Sequence, residues 1–99
     1  MTDTEQKIID RARLIVKAHK DYPHLRIIQK SGNEKWLIRS QTLDVLHFII
    51  HDYDEGWSCN CAYFLYKGTC KHIKTIQFIL EENIFIPEYK EISGTDDVT

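Results

Sequence analysis

Long apolar runs are missing from this chain of 99 residues. Its apolar stretches are short, as in Phe48-Ile49-Ile50 and Ile84-Phe85-Ile86, whereas a membrane-spanning helix needs ~20 consecutive apolar residues. No membrane association is expected. Residues 1–20 carry charges throughout and lack the apolar centre of a secretory leader. Glycine and proline are scarce, at four and two, and no linker, internal repeat or low-complexity tract interrupts the chain. Cysteine is scarce as well, and its count of three is odd, which argues against the paired disulfide framework of a small secreted domain. An intracellular protein is therefore expected, in the cytoplasm, nucleoid or nucleus.

An excess of one charge is missing too. The formal net charge is −2, which argues against a generally basic nucleic-acid binder. The distribution is more informative than the sum. Residues 88–99 hold Glu88, Glu91, Asp96 and Asp97 against Lys90 alone. Lys17 to Arg39 holds six basic residues against Asp21 and Glu34, and Ala62 to Leu80 holds Lys67, Lys71 and Lys74 with no acid. The body thus has local positive segments, which either solvate a surface or meet a polyanion.

A domain this small buries only ~60–65% of its unfolded surface, so a bound metal would aid its stability. Ile8, Ile9, Ala12, Ile15 and Val16 recur at helical spacing and predict a helix over about 4–20. Thr2 and Glu5 have capping-box spacing at its start, and Pro23 stops it. Leu14 falls on the opposite face. Leu25–Lys30, Trp36–Arg39, Val45–Tyr53 and Trp57–Ser58 read as strands. Ser31-Gly32-Asn33-Glu34 and Asp54-Glu55-Gly56 supply turns, and such short connections predict an antiparallel meander. From Cys70 the chain turns helical, with Ile73, Ile76, Ile79 and Leu80 on one face and His72 at its edge. Phe78 projects from the opposite, lysine-bearing face. Ile84-Phe85-Ile86 is expected to fold back as an extended segment. The expected class is α+β: an N-terminal helix, a small antiparallel meander, a zinc knuckle and a C-terminal helix. One domain spans 1–87, and 88–99 is an acidic tail expected to be disordered.

The cysteines fall within WSCNCAYFLYKGTCKHI, at 59, 61 and 70, with a histidine at 72. Three thiolates and one imidazole make a sufficient tetrahedral set for zinc. Cys59 and Cys61 at a strand end can curl toward one ion. Cys70 and His72 cannot both sit inside a regular helix and share it, because i and i+2 point ~200° apart. Cys70 must then precede the helix, with His72 in its first turn. Gly68-Thr69 gives the freedom for that bend. Other chemistries fit poorly. A Cys59–Cys61 disulfide closes a strained ring and leaves Cys70 over. A Cys70–His72 nucleophile pair lacks a third group and leaves two cysteines idle. A catalytic zinc keeps an open position, whereas four protein ligands close the site. His19, His24, His47 and His51 read as non-ligands, with His47 and His51 on one strand face. Three thiolates against a divalent ion leave the centre at −1, which Lys67 and Lys71 can offset while backbone N–H groups bond the sulfurs.

The order Cys-x-Cys, eight residues, Cys-x-His resembles the SWIM-type zinc finger. Its strand–turn–strand piece is matched by Lys35 to Tyr53, its aromatic-polar entry by Trp57-Ser58, and its helix opening by Cys70-Lys71-His72. The match covers about 36–80. Thr75 stands where the family often has alanine. The resemblance implies work around DNA rather than RNA, as in transposases, remodelling ATPases and recombination mediators. Lys67, Lys71 and Lys74 would then meet phosphates, with Tyr66 and Phe78 available to stack on bases. Tyr63, Phe64 and Tyr66 read more simply as packing around the zinc. The alternative is a protein-interaction adaptor or a subunit of a DNA-processing complex, using Leu14, Phe78 and Ile84-Phe85-Ile86. Neither reading is enzymatic, and no small-molecule substrate is expected.

Overall fold

The computed structural model describes residues 3–40 and 45–89. The elements are α1 (Asp3–Asp21), a 3₁₀ turn (Pro23–Leu25), β1 (Ile28–Gly32), β2 (Lys35–Arg39), β3 (Leu46–Asp52), β4 (Gly56–Cys59), α2 (Ala62–Lys67) and α3 (Lys71–Glu81). This is the α+β order read from the sequence, with α2 added. Thr2 and residues 90–99 of the acidic tail lie outside the described residues. Among those described, no helix is long and apolar enough to cross a membrane.

α1 begins with Asp3 and Glu5 in its first turn and ends with His19 and Lys20 in its last, which matches the helix dipole at both ends. It buries Ile8, Ala12, Val16 and His19, a single stripe at i, i+4, i+8 and i+11. Leu14 is 65% exposed on the other side. Tyr22 leaves the helical region ahead of Pro23 (φ −128°), as the proline ring requires.

The strands form one antiparallel sheet in the order β1-β2-β3-β4. Ile28 faces Ile38, Trp36 faces Ile49, and Ile49 faces Cys59. Residues directly opposite share a face, so these side chains line the inner side, where they join Ile73, Ile76 and Ile79 of α3 and Val16 of α1 in one core. α3 packs on β3 and β4, and α1 packs on α3. The other face carries Phe48 and Ile50, which stay 46% and 39% exposed. At the β3–β4 turn, Asp52 Oδ1 accepts the N–H groups of Asp54 (2.7 Å) and Glu55 (3.0 Å). Those bonds hold its carboxyl below the usual range. Gly56 follows at φ 85°, a left-handed conformation that glycine adopts without steric cost.

α3 ends at Glu81 with Glu82 as its C-cap, and Asn83 takes a left-handed φ of 53°. The chain then folds back in extended form, with Ile84 and Ile86 packed on the core and Phe85 80% exposed. It reaches the free edge of β1, where Lys30 N–H donates to Pro87 O and Tyr89 N–H donates to Lys30 O, both at 2.8 Å. The Lys30–Glu88 bridge is parallel and covers an otherwise unpaired edge. Glu88, the first residue of the expected acidic tail, lies in this bridge. His19 Nε2 lies 2.8 Å from Phe85 O. A carbonyl only accepts, so Nε2 is the donor, and Nδ1 is buried without a hydrogen-bond partner among the described residues.

The face of α3 is rotated from its expected setting. Its buried residues are His72, Ile73, Thr75, Ile76 and Ile79, whereas Leu80 is 47% exposed. Packing of α1 along α3 shifts the covered arc toward Thr75. Its hydroxyl donates to Lys71 O at 2.6 Å, so burial leaves no unsatisfied donor.

Candidate metal centre

Each candidate ligand sits where one element ends or another begins. Cys59 closes β4. Cys61 is the N-cap of α2, in extended conformation (φ −81°, ψ 155°). Cys70 is the extended N-cap of α3 (φ −164°, ψ 168°), and His72 is the helix's second residue. This is the arrangement that the i, i+2 spacing demands, because the bend before α3 turns Cys70 toward the side on which His72 lies.

One donor atom from each of these residues lies within 4.8 Å of the others. Tetrahedral ligand atoms at ~2.3 Å (sulfur) and ~2.0 Å (nitrogen) from zinc lie about 3.5–3.8 Å apart. His72 Nδ1 is 3.8 Å from Cys59 Sγ, so Nδ1 is the ring nitrogen that faces the sulfurs. The four residues are almost fully buried, from Cys70 at 1% to Cys61 at 8% exposed. All three cysteines are free thiols. The site could hold a metal ion, and three thiols with one imidazole are consistent with a zinc finger.

The thiols share charge unequally. Hydrogen bonding from Cys59, then from His72 and the Ile73 N–H, lowers the Cys70 thiol to about 4. Cys59 is raised, first by donating to Cys70 and then by burial. Of the two thiols, Cys59 is the one that holds its proton more tightly. A divalent ion would displace that proton.

The surroundings orient the ligands. Phe64 N–H donates to Cys61 Sγ at 3.4 Å, an N–H···S bond of the kind expected around a knuckle. Asn60, between the first two cysteines, is fastened twice to β3: its Oδ1 accepts from Phe48 N–H (2.9 Å) and its N–H donates to Phe48 O (3.3 Å). His47 stacks on His72, with centroids 4.1 Å apart and planes at 24°. Burial, then the neighbouring His72 and Lys71, pushes the His47 pKa down, so a neutral ring supports the ligand. The sequence names His47 only as a non-ligand on one strand face and marks no role for Asn60. The signal for His47 was its alternation with Ile49, which placed it on the face toward which the cysteines fold.

His51 is spent elsewhere, with Nδ1 3.2 Å from Glu34 Oε2 and its ring on Trp57 at 4.6 Å. Trp57 also stacks on Trp36 at 5.5 Å. The eight residues between Cys61 and Cys70, expected as a loop, contain α2. Of its aromatics only Phe64 packs on the core. Tyr66 is 81% exposed and does not pack around the metal as expected; Lys67 Nζ lies 5.0 Å over its ring. Lys67 and Lys71 are exposed, and Lys74 is half-buried. Phe78 is half-buried against the core, and the Arg13 guanidinium lies 3.8 Å above its ring. That contact covers one face of the ring and ties α1 to α3. The chain matches no family model, no curated protein and no solved structure.

Proposed function

We propose that this chain is a non-enzymatic binding module of SWIM type, built around one structural zinc ion, with nucleic acid, DNA before RNA, as its partner. The observation that carries the zinc reading is the closed donor set: three buried thiols and His72 Nδ1, drawn from the end of a hairpin and the start of a helix. Soft thiolates with imidazole favour zinc over hard cations. Four protein donors leave no coordination position for a substrate, which supports a structural rather than a catalytic ion. The SWIM assignment rests on ligand order and on the hairpin-before, helix-after context.

The nucleic-acid reading is supported by exposed Lys67 over the exposed Tyr66 ring and by exposed Lys71 at the start of α3. Phosphate contacts made by lysine give steep salt dependence, and a free aromatic face can stack on a base. Titration with single- and double-stranded DNA at low and moderate salt tests this reading. Salt-sensitive binding that is lost when Lys67, Lys71 and Lys74 become Glu is expected; no binding at low ionic strength would refute it. Native mass spectrometry should find one zinc per chain. A second reading, a protein-interaction adaptor, is favoured by one observation: exposed Phe48 and Ile50 on the sheet face away from the helices.

A further inference from the structure

α1 and the knuckle leave a cleft of about 250 Å³ between them. Its back wall is the metal centre, through Cys61, Cys70 and His72, and Ile8 and Tyr63 supply apolar surface. Lys7 and Arg11 of α1 and Lys71 of α3 also line it, with Thr4 beside them and no acid among the described lining residues. Lys7 and Arg11 are four apart, on one face of their helix, so they repel each other. Lys71 adds a third positive charge from another element. None of the three has an ion-pair partner among the described residues, whereas Arg13 and Lys17 on the same helix are paired with Glu82 and Asp21. Three cations beside a zinc centre of charge −1 leave this wall at +2.

We propose that this cleft binds the phosphate group of a nucleotide, with the base against Ile8 and Tyr63. Three unpaired cations and a threonine hydroxyl suit a phosphate dianion better than a carboxylate, because arginine and lysine bond several phosphate oxygens at once. The apolar residues at the same cleft suit the flat face of a base. The volume lies just below the ~300–1,000 Å³ of drug-sized ligand sites, which points to a single nucleotide. That nucleotide is either free in solution or one unit of a strand. A free nucleotide would be a small ligand not foreseen from the sequence. As part of a strand, it rests on the nucleic-acid reading above but engages α1, outside the finger itself.

The test titrates the zinc-loaded chain by calorimetry with adenosine monophosphate, adenosine and a short single-stranded DNA. Adenosine monophosphate should bind, and adenosine about tenfold or more weaker, as expected when a charge-assisted bond is lost. The double variant Lys7→Ala/Arg11→Ala should weaken nucleotide binding by about tenfold or more while keeping one zinc; both side chains are exposed, so folding is preserved. Lys35→Ala, at an exposed position on β2 outside the cleft lining, should leave it unchanged. If only the strand binds, and the double variant abolishes that binding, the site stands and the strand is the source of the phosphate. Equal binding of adenosine and its phosphate, a double variant like the wild type, or no binding by any probe would overturn the cleft assignment. So would capture of an acidic peptide in place of every phosphate probe. Strand binding that depends on Lys67 and Lys74 but ignores Lys7 and Arg11 would overturn the cleft and leave the nucleic-acid reading standing.

Discussion

Removing the metal should melt α2 before the rest of the fold. α2 has six residues and buries none of them fully. Ordering six residues costs roughly 6–12 kcal/mol at ~1–2 kcal/mol each. Against this, half-burial of Phe64 contributes about 1 kcal/mol. The Cys61 cap and the Gly68 N–H to Phe64 O bond (2.7 Å) contribute about 1 kcal/mol each. The helix alone is short by ~3–9 kcal/mol. A structural zinc contributes apparent energies of ~10–16 kcal/mol in small fingers, enough to cover that shortfall and the knuckle turns on either side. β2, β3 and α3 have their own support, with Ile38, Ile49, Ile76 and Ile79 at 0–2% exposure. Hydrogen–deuterium exchange with and without a strong chelator reads this directly. Amides from 60 to 70 should exchange fast on chelation, while those of β2 and β3 remain slower. Equal protection of α2 in both states would refute the claim that a metal holds it.

Replacing His47 by Ala removes the ring stacked on His72 and should speed metal loss about 10-fold or more, the usual effect of disturbing a ligand's supporting shell; His47→Phe should restore most of it, and a chromophoric chelator follows the release. Metal affinity should fall as pH falls, by about tenfold per pH unit for each proton displaced. Because Cys70 is ionised down to about 4, the raised Cys59 thiol is a main source of those protons near neutrality, and counting protons released on zinc addition checks it. Ile76→Ala, at a position with 0% exposure, should cost about 2–5 kcal/mol in a urea titration of the zinc-loaded chain. Asp52→Ala should destabilise the β3–β4 turn above the ordinary aspartate pKa. Since the folded pKa of Asp52 is lowered, that contribution disappears as pH falls through it, so mutant and wild-type midpoints should converge in acid.

The elements that local chemistry dictates were legible. α1 announced itself by one stripe of apolar residues and by Pro23 beyond it. The meander followed from turn residues such as Asp54-Glu55-Gly56 between alternating strands. The ligands were legible because thiol and imidazole at that spacing exclude most other chemistry. What escaped depends on contacts between distant parts of the chain. α2 has no apolar periodicity to read, since its anchors are a cap on a metal ligand and one phenylalanine. Leu80 misled because the arc buried on α3 is set by where α1 lies, and nothing within residues 71–81 encodes that. The parallel return of Pro87–Tyr89 onto β1 joins positions nearly sixty residues apart, and no local pattern foretells it.

The lysines beside the knuckle pose the remaining physical question, whether they serve the thiolates or an outside anion. Their positions divide the work. Lys71 adjoins Cys70 in sequence and lines the cleft against the metal centre, so it acts on both. Lys67 lies over Tyr66 at the exposed end of α2, where water screens its pull on the sulfurs. Lys7 and Arg11 come from α1, which supplies no ligand, yet they stand in the same cleft as Lys71. Three cations exceed what the centre could neutralise at the −1 it would carry with zinc bound, and no carboxylate lines the cleft with them among the described residues. Excess positive charge at the cleft is what an anionic ligand would complement, and on the nucleotide proposal neutralising Lys7 and Arg11 should abolish salt-sensitive nucleotide binding.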